Sequence, residues 1–335
     1  MNILFITDLY PVRDDEKITP GTLYNFVQCW KKSGHKVDVI KPNFILNSFL
    51  RRKPFYKTGQ YGEVYNVNYL LPFVGRTRGF EGYDAVIAHM PSGILFADKS
   101  GLPFIAGVHN SDLEVLTKPL YKFYFKPRLL QALRNAKAIA CRSFVIEKKL
   151  LGLYPEFKGK TFAALSGVDE KIILNNNRSF TAGGSKIKVL TVANRKKRKN
   201  VDKVVKAVTK DFELTVIGEG YTGWIPQKEV FAKMRESDIF ILPSVGETFG
   251  MVYLEAMAQG CITVCTSNDG IDGIIKDGEN GFTVDPNPES IKTLLLKIKN
   301  MSKEELKVIS NNAVNTAKKY TAEKCAADYL GKVIK

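Results

Sequence analysis

The chain has 335 residues, enough for two domains of ordinary size or one large one. A hydrophobic content of 44% with 25% charged residues is that of a folded globular protein and excludes wholesale disorder, while 3 His and 5 Cys exclude metal-cluster and disulfide scaffolds. The 50 Lys+Arg against 34 Asp+Glu leave a formal charge of +16, so the expected partner is anionic: nucleic acid, an acidic membrane surface or a phosphorylated substrate.

The opening MNILFITD lacks a basic leader and reads as a first strand, residues 2–7, rather than a secretory signal. Residues 22–33 place Leu23, Phe26, Val27 and Trp30 at i, i+3, i+4 and i+7 of a helix, which Gly34 ends. Further apolar runs at 36–40, 83–88, 103–108 and 136–141 read as strands. Residues 175–185 (NNNRSFTAGGS) are polar and break the pattern as a surface loop past a hinge. The alternation then restarts with strands at 187–193, 213–217, 239–242 and 261–265. Near-continuous apolar strands alternating with helices predict parallel sheets covered by helices, in two α/β halves. No run of roughly 18 apolar residues is present to span a bilayer. Cys29, Cys141, Cys261, Cys265 and Cys325 lack zinc-ligand spacing and read as reduced, buried thiols, which predicts a cytoplasmic setting.

Ligands of open α/β sheets bind beyond the carboxyl ends of the strands. The most informative stretch is therefore 243–260 (PSVGETFGMVYLEAMAQG), directly after an apolar strand. Residues 244–250, which include Ser244, Thr248, Phe249 and Gly250, form a loop leading into a helix whose first N–H groups suit an anion. Glu247 and Glu255 are eight residues apart, about 12 Å along a helix axis. That exceeds the roughly 5–9.5 Å of a glycosidase carboxylate pair and suits two ends of an extended ligand. Glu255 lies in an apolar context, so its carboxylate needs donors, which sugar hydroxyls supply.

Ser244, Glu247, the pair Phe249 and Gly250, the run from Leu254 to Ala258, and Gly260 resemble the E-x7-E signature of retaining GT-B glycosyltransferases of the family 4 type. Residues 277–282 (DGENGF), 166–169 (SGVD), 34–37 (GHKV) and 109–112 (HNSD) are similar to further motifs of that family in the same order, so the resemblance runs along nearly the whole chain. It implies a GT-B fold: two Rossmann-like αβα domains facing each other across a cleft. The acceptor-side domain would span 1–168 with a helix at 319–335 returning to it, and the nucleotide-sugar domain 169–318. It implies that Glu247 meets the donor sugar and Glu255 the ribose hydroxyls. A basic pair after the first strand of the second domain would clamp the diphosphate, where cations stabilise the leaving group's charge. Lys199 matches the family's lysine. The usual Gly-Arg is Ala193-Asn194 here, leaving Arg198 or Arg195 as the second cation. The first-domain glycine loop reduces to Gly21, and the sugar-proximal histidine would be His109. Trp224 would edge the base pocket or pack in the core.

No Asp-x-Asp motif of the metal-dependent transferases stands in a suitable context, so cationic side chains and the helix N-terminus would replace a metal, with no cofactor beyond a nucleotide sugar, expected to be a UDP-sugar. The resemblance implies front-face attack in place of a protein nucleophile. Residues 44–57 and 120–128 mix aromatic anchors with Lys and Arg, as segments at an anionic membrane interface do, and point to a saccharide or lipid-linked acceptor of cell-surface polysaccharide or glycolipid synthesis. The rivals are a basic nucleic-acid-binding protein, without a recognisable module, and a sugar-nucleotide epimerase or phosphorylase on the same fold.

Overall fold

The computed structural model describes residues 1–12, 21–44, 56–69, 81–175, 178–180 and 186–334. The chain divides into two units of similar size: residues 1–142, 146–165 and 325–335 form the first, and 143–145 with 166–324 the second.

The first unit is built on an eight-stranded sheet. Its strands are β1 (Asn2–Ile6), β2 (Lys36–Phe44), β3 (Gly59–Tyr61), β4 (Val64–Tyr69), β5 (Ala85–His89), β6 (Ile105–Val108), β7 (Ala138–Cys141) and β8 (Thr161–Ala163). The order is β3-β4-β2-β1-β5-β6-β7-β8. All pairings are parallel but one: β3 turns back on β4 through Gly62, at φ +55°, and runs antiparallel at the edge. The expected wholly parallel sheet is corrected there: the tight turn at Gly62 leaves β3 no crossover, so it can pair with β4 only antiparallel.

Leu4 and Ile6 point to one face of β1, into a core with Ile94, Leu113, Leu129 and Ile146. The opposite face receives Phe5, whose ring lies edge-on to Trp30 of α1 (Thr22–Lys32) at 5.8 Å. The Trp30 indole N–H donates to Ala326 O at 2.8 Å, fixing the C-terminal helix α11 (Ala322–Ile334) on that face from Cys325 onward. Helices α2 (Met90–Ser100), α3 (Asn110–Thr117), α4 (Phe125–Asn135) and α5 (Phe144–Leu153) follow their strands.

The second unit has five parallel strands: β9 (Ile187–Val192), β10 (Phe212–Ile217), β11 (Ile239–Ile241), β12 (Ile262–Thr266) and β13 (Phe282–Val284), ordered β10-β9-β11-β12-β13. They are covered by α6 (Val201–Ala207), α7 (Gln227–Glu236), α8 (Met251–Ala258), α9 (Pro288–Lys299) and α10 (Lys303–Lys319). The strand order reverses between β9 and β11, and an open α/β sheet binds its ligand at such a switch point. In the first unit the reversal lies between β1 and β5.

All five cysteines are free and buried. Among the described residues no helix is long and apolar enough to cross a membrane. The expected loop at 175–185 and the basic aromatic segment at 44–57 fall largely outside the described residues.

Candidate active site

The carboxyl ends of β9 and β11 bring two sequence motifs together. Residues 193–200 follow β9 and residues 243–250 follow β11. They are joined by the Val245 N–H donating to Arg198 O at 2.8 Å and the Asn200 side-chain amide donating to Pro243 O at 2.7 Å. Asn200 sits in the left-handed region at φ +52°, which turns the basic run back over the sheet.

Glu247 is the centre of this junction. One oxygen, Oε1, accepts from Ser244 Oγ at 2.6 Å, from Arg198 Nη1 at 2.9 Å and from Lys199 Nζ. Burial alone would raise its pKa, but Lys199, the Ser244 hydroxyl and Arg198 outweigh it and hold the carboxyl below its usual range. The acid expected to meet the sugar and the cations expected to hold the diphosphate are therefore paired with each other.

Asp269 holds the Glu247 loop: its carboxylate accepts from the Gly246 N–H at 2.5 Å and the Glu247 N–H at 3.0 Å. Sequence reasoning missed this residue. The available signal was an Asn-Asp-Gly turn immediately after β12.

Glu247 lies in the loop, and α8 begins only at Met251. Gly250 precedes it at φ +88°, where a Cβ would run into the Tyr253 ring, so a glycine is required. The N-terminus of α8 has no side-chain cap and no acid in its first turn, leaving N–H groups for an anion. Ser244 and Phe249 are buried and Thr248 half-buried beside them.

Glu255 is half-buried, less enclosed than its apolar neighbours in sequence imply. Burial pushes its pKa up to about 6, against a lowering contribution from the Gln227 amide, which donates to it at 3.2 Å. Lys199 is largely buried and Arg198 half-exposed. Arg195 is exposed, its chain lying against Gly220, where a Cβ would meet Arg195 Cδ at 2.6 Å. Asn194, standing where the family pattern has an arginine, leaves its buried Oδ1 without a partner among the described residues. Trp224 is 71% exposed, which removes core packing as its role.

Gly21 and His109 belong to the first unit. Gly21 is the N-cap of α1 and has nothing within 4 Å of where a Cβ would stand. His109 caps α3, and its N–H donates to the Asp112 carboxylate at 2.8 Å. Its ring faces inward: Nε2 lies 2.9 Å from His89 Nδ1, and His89 Nε2 lies 3.0 Å from the Tyr329 hydroxyl. Burial, then His109 and Arg142, hold His89 well below its usual range, and burial with Arg142 does the same to His109. Both rings are neutral at neutral pH. The Nε2 of His109 is thus engaged by His89 rather than presented to a ligand. Among the described residues no group of three or more His, Cys, Asp or Glu side chains is placed to hold a metal ion.

Comparison with known proteins follows the same division. Residues 174–316 match the family described as glycosyl transferases group 1. The chain is similar to the uncharacterized glycosyltransferase MJ1178 of Methanocaldococcus jannaschii, 28% identical over 73% of each chain. Among solved structures it resembles Anabaena HepE in complex with UDP and glucose, with a TM-score of 0.66 at 13% identity over 99% of this chain and 98% of that one. It also resembles the apo form of the lipopolysaccharide outer core galactosyltransferase WaaB, with a TM-score of 0.70 at 14% identity over 99% and 98%. These likenesses show the fold: both units are Rossmann-like, as in GT-B glycosyltransferases.

Proposed function

We propose that the chain transfers a glycosyl group from a UDP-sugar, with retained configuration, to a saccharide or lipid-linked saccharide acceptor, a reading supported by the match of residues 174–316 to the glycosyl transferases group 1 family. The observation that carries this reading is the meeting of Lys199, Arg198, Ser244 and Glu247 at the switch point of the second sheet, ahead of the uncapped start of α8.

The diphosphate enters where Glu247 now engages the cations. Lys199 and Arg198 turn to its oxygens, the α8 N–H groups add their dipoles, and the freed Glu247 carboxylate accepts from sugar hydroxyls. Glu255 takes hydroxyls at the nucleoside end. As the glycosyl bond breaks, negative charge grows on the diphosphate, and side-chain cations stabilise it without a metal. The acceptor attacks from the side of the leaving group, and a diphosphate oxygen takes its proton, so no protein nucleophile is needed. UDP in the HepE complex supports the choice of base, and the lipopolysaccharide role in WaaB's name supports the acceptor class. We place the enzyme at the cytoplasmic side of the membrane that carries such acceptors.

A thermal-shift panel of UDP-, GDP- and ADP-sugars tests the donor, since a ligand of the folded state raises Tm. UDP-sugars stabilise, and the anomeric configuration of the transferred product is that of the donor. No stabilisation by any sugar nucleotide, together with salt-sensitive duplex binding, would establish the nucleic-acid reading instead.

A further inference from the structure

The first unit carries an exposed apolar feature that the transferase chemistry does not use. Between α3 and α4 the chain reads TKPLYKFYFKPR over residues 117–128, with four cations and no acid. Leu120 is 83% and Phe123 87% exposed, the two most exposed large apolar side chains among the described residues. Single exposed leucines are ordinary on a protein surface. Two such tips three residues apart, carried on a short 3-10 turn at Pro119–Tyr121 and the residues that follow, are not.

Cations ring these tips. Lys122 Nζ lies 5.5 Å from the centroid of the Phe123 ring, and the Arg128 guanidinium stacks 3.9 Å from that of Tyr124. The apolar surface also continues past Thr117, which lines a cavity of about 410 Å³ with Leu113, Gly152 and Leu153, rimmed by Glu114 and Lys149. Leu153 is itself exposed.

We propose that residues 117–128 form a membrane-docking surface, with Leu120 and Phe123 entering the acyl boundary of an anionic bilayer and Lys122, Lys126 and Arg128 lying at its phosphates. Charge decides the occupant. A second copy of a chain carrying +16 would bring like charge against this basic segment, whereas an anionic leaflet attracts it. Aromatic and leucine tips flanked by cations suit the interface between headgroups and acyl chains. The inference supplies the surface that a lipid-linked acceptor requires, but it does not depend on the transferase reading.

The test is flotation of the full chain with phosphatidylcholine vesicles, with and without phosphatidylglycerol. Anionic vesicles carry the protein up the gradient at low salt, and neutral ones do not. Leu120→Ser with Phe123→Ser weakens binding at least about tenfold, and Lys122→Gln and Lys126→Gln about fivefold each. A second readout does not depend on those variants folding well. Because the native cysteines are all buried, Phe123→Cys takes an environment-sensitive label selectively, and its emission shifts to the blue on anionic vesicles. Undiminished flotation of the Leu120/Phe123 variant, or an unshifted label on bound protein, would overturn the proposal. So would equal binding to neutral vesicles, or a label shift driven by protein concentration without lipid, which would indicate self-association. None of these measurements uses a sugar nucleotide, so their failure leaves the donor site standing, and loss of donor binding leaves them standing.

Discussion

Glu247 Oε1 accepts a hydrogen bond from Arg198 Nη1 at 2.9 Å, 49 residues away in sequence, and Lys199 donates to the same oxygen. The acid proposed to meet the sugar and the cations proposed to meet the diphosphate are here each other's partners. On the proposed function, donor binding exchanges one set of charge-assisted bonds for another at a site that the Glu247–Lys199–Arg198 contacts already order.

Glu247→Gln separates these roles. The cations lose a charged competitor, so affinity for UDP rises severalfold. Turnover falls by about 10²-fold because the neutral amide is a weaker acceptor for hydroxyls of the reacting sugar. Titration calorimetry with UDP and steady-state kinetics check the two halves. A variant with weakened UDP binding and normal kcat would contradict the exchange.

Lys199→Ala removes the more buried cation. A hydrogen bond to a charged group contributes about 1.5–3 kcal/mol, so UDP affinity falls roughly 10–100-fold, with a smaller loss for Arg198→Ala, whose side chain is 43% exposed against 13% for Lys199. Equal losses in the two variants would show that burial does not rank them.

These residues were legible in the sequence singly, because each stands in a turn directly after an apolar strand. Their pairing was not: it needs β9 and β11 to be neighbours, which the interposed β10 hides in a linear reading. The same holds for His89. It ends β5 as one more residue of a buried strand, and only the register of His89 opposite Gly107 on β6 brings it to His109. The apolar strands of both sheets were legible from continuous hydrophobic runs. The edge hairpin of β3 and β4 was not, since its exposed positions are polar, and β8 and β13, three residues each, are too short to show a period. Asp269 was missed because a carboxylate that only holds a loop leaves no spacing signature.

With Glu255 in the proposed donor site, donor binding depends on pH. Its pKa stands at about 6 in the free protein, pushed there by burial. On the proposed function the ribose hydroxyls donate to the ionised form, so affinity for a UDP-sugar rises as pH increases through about 6 and levels off above it. The diphosphate of a sugar nucleotide is a diester and has no ionisation in that range to confuse the reading. Glu255→Gln binds more weakly and removes the slope. A slope that survives in the variant would assign it to another group.

Gly107 is a steric requirement of the histidine pair. A Cβ there would overlap the His89 ring, which lies across the strand. Gly107→Ala displaces that ring from both His109 and Tyr329 and destabilises by about 1–3 kcal/mol, the usual cost of overpacking a close-fitted core. A urea midpoint equal to that of the native chain would mean the rings move aside freely.

The buried groups around His109 set the pH of greatest stability. His89 and His109 are held below their usual range, so the unfolded chain takes protons near its ordinary value of about 6.5 while the folded one does not, and the stability they contribute is lost as pH falls below that point. Asp112 works in the opposite sense. Burial first, and then the charge of Asp8, push its pKa up to about 8, against the lowering bond from the His109 N–H, and its Oδ1 has no partner among the described residues. A raised carboxyl favours its neutral form in the folded state, so the stability it contributes is lost as pH rises from the unfolded value toward 8. Tm is therefore highest near pH 6.5, where the proton uptake of the two half-protonated histidines in the unfolded chain balances the proton that Asp112 holds in the folded one; above that pH Asp112 dominates and stability declines. Asp112→Asn keeps an acceptor for the His109 N–H and removes the titration, so its Tm holds level between about pH 6.5 and 8 while that of the native chain declines. Calorimetric scans across this range compare the two slopes directly, and parallel slopes would show that Asp112 is already ionised in the folded protein.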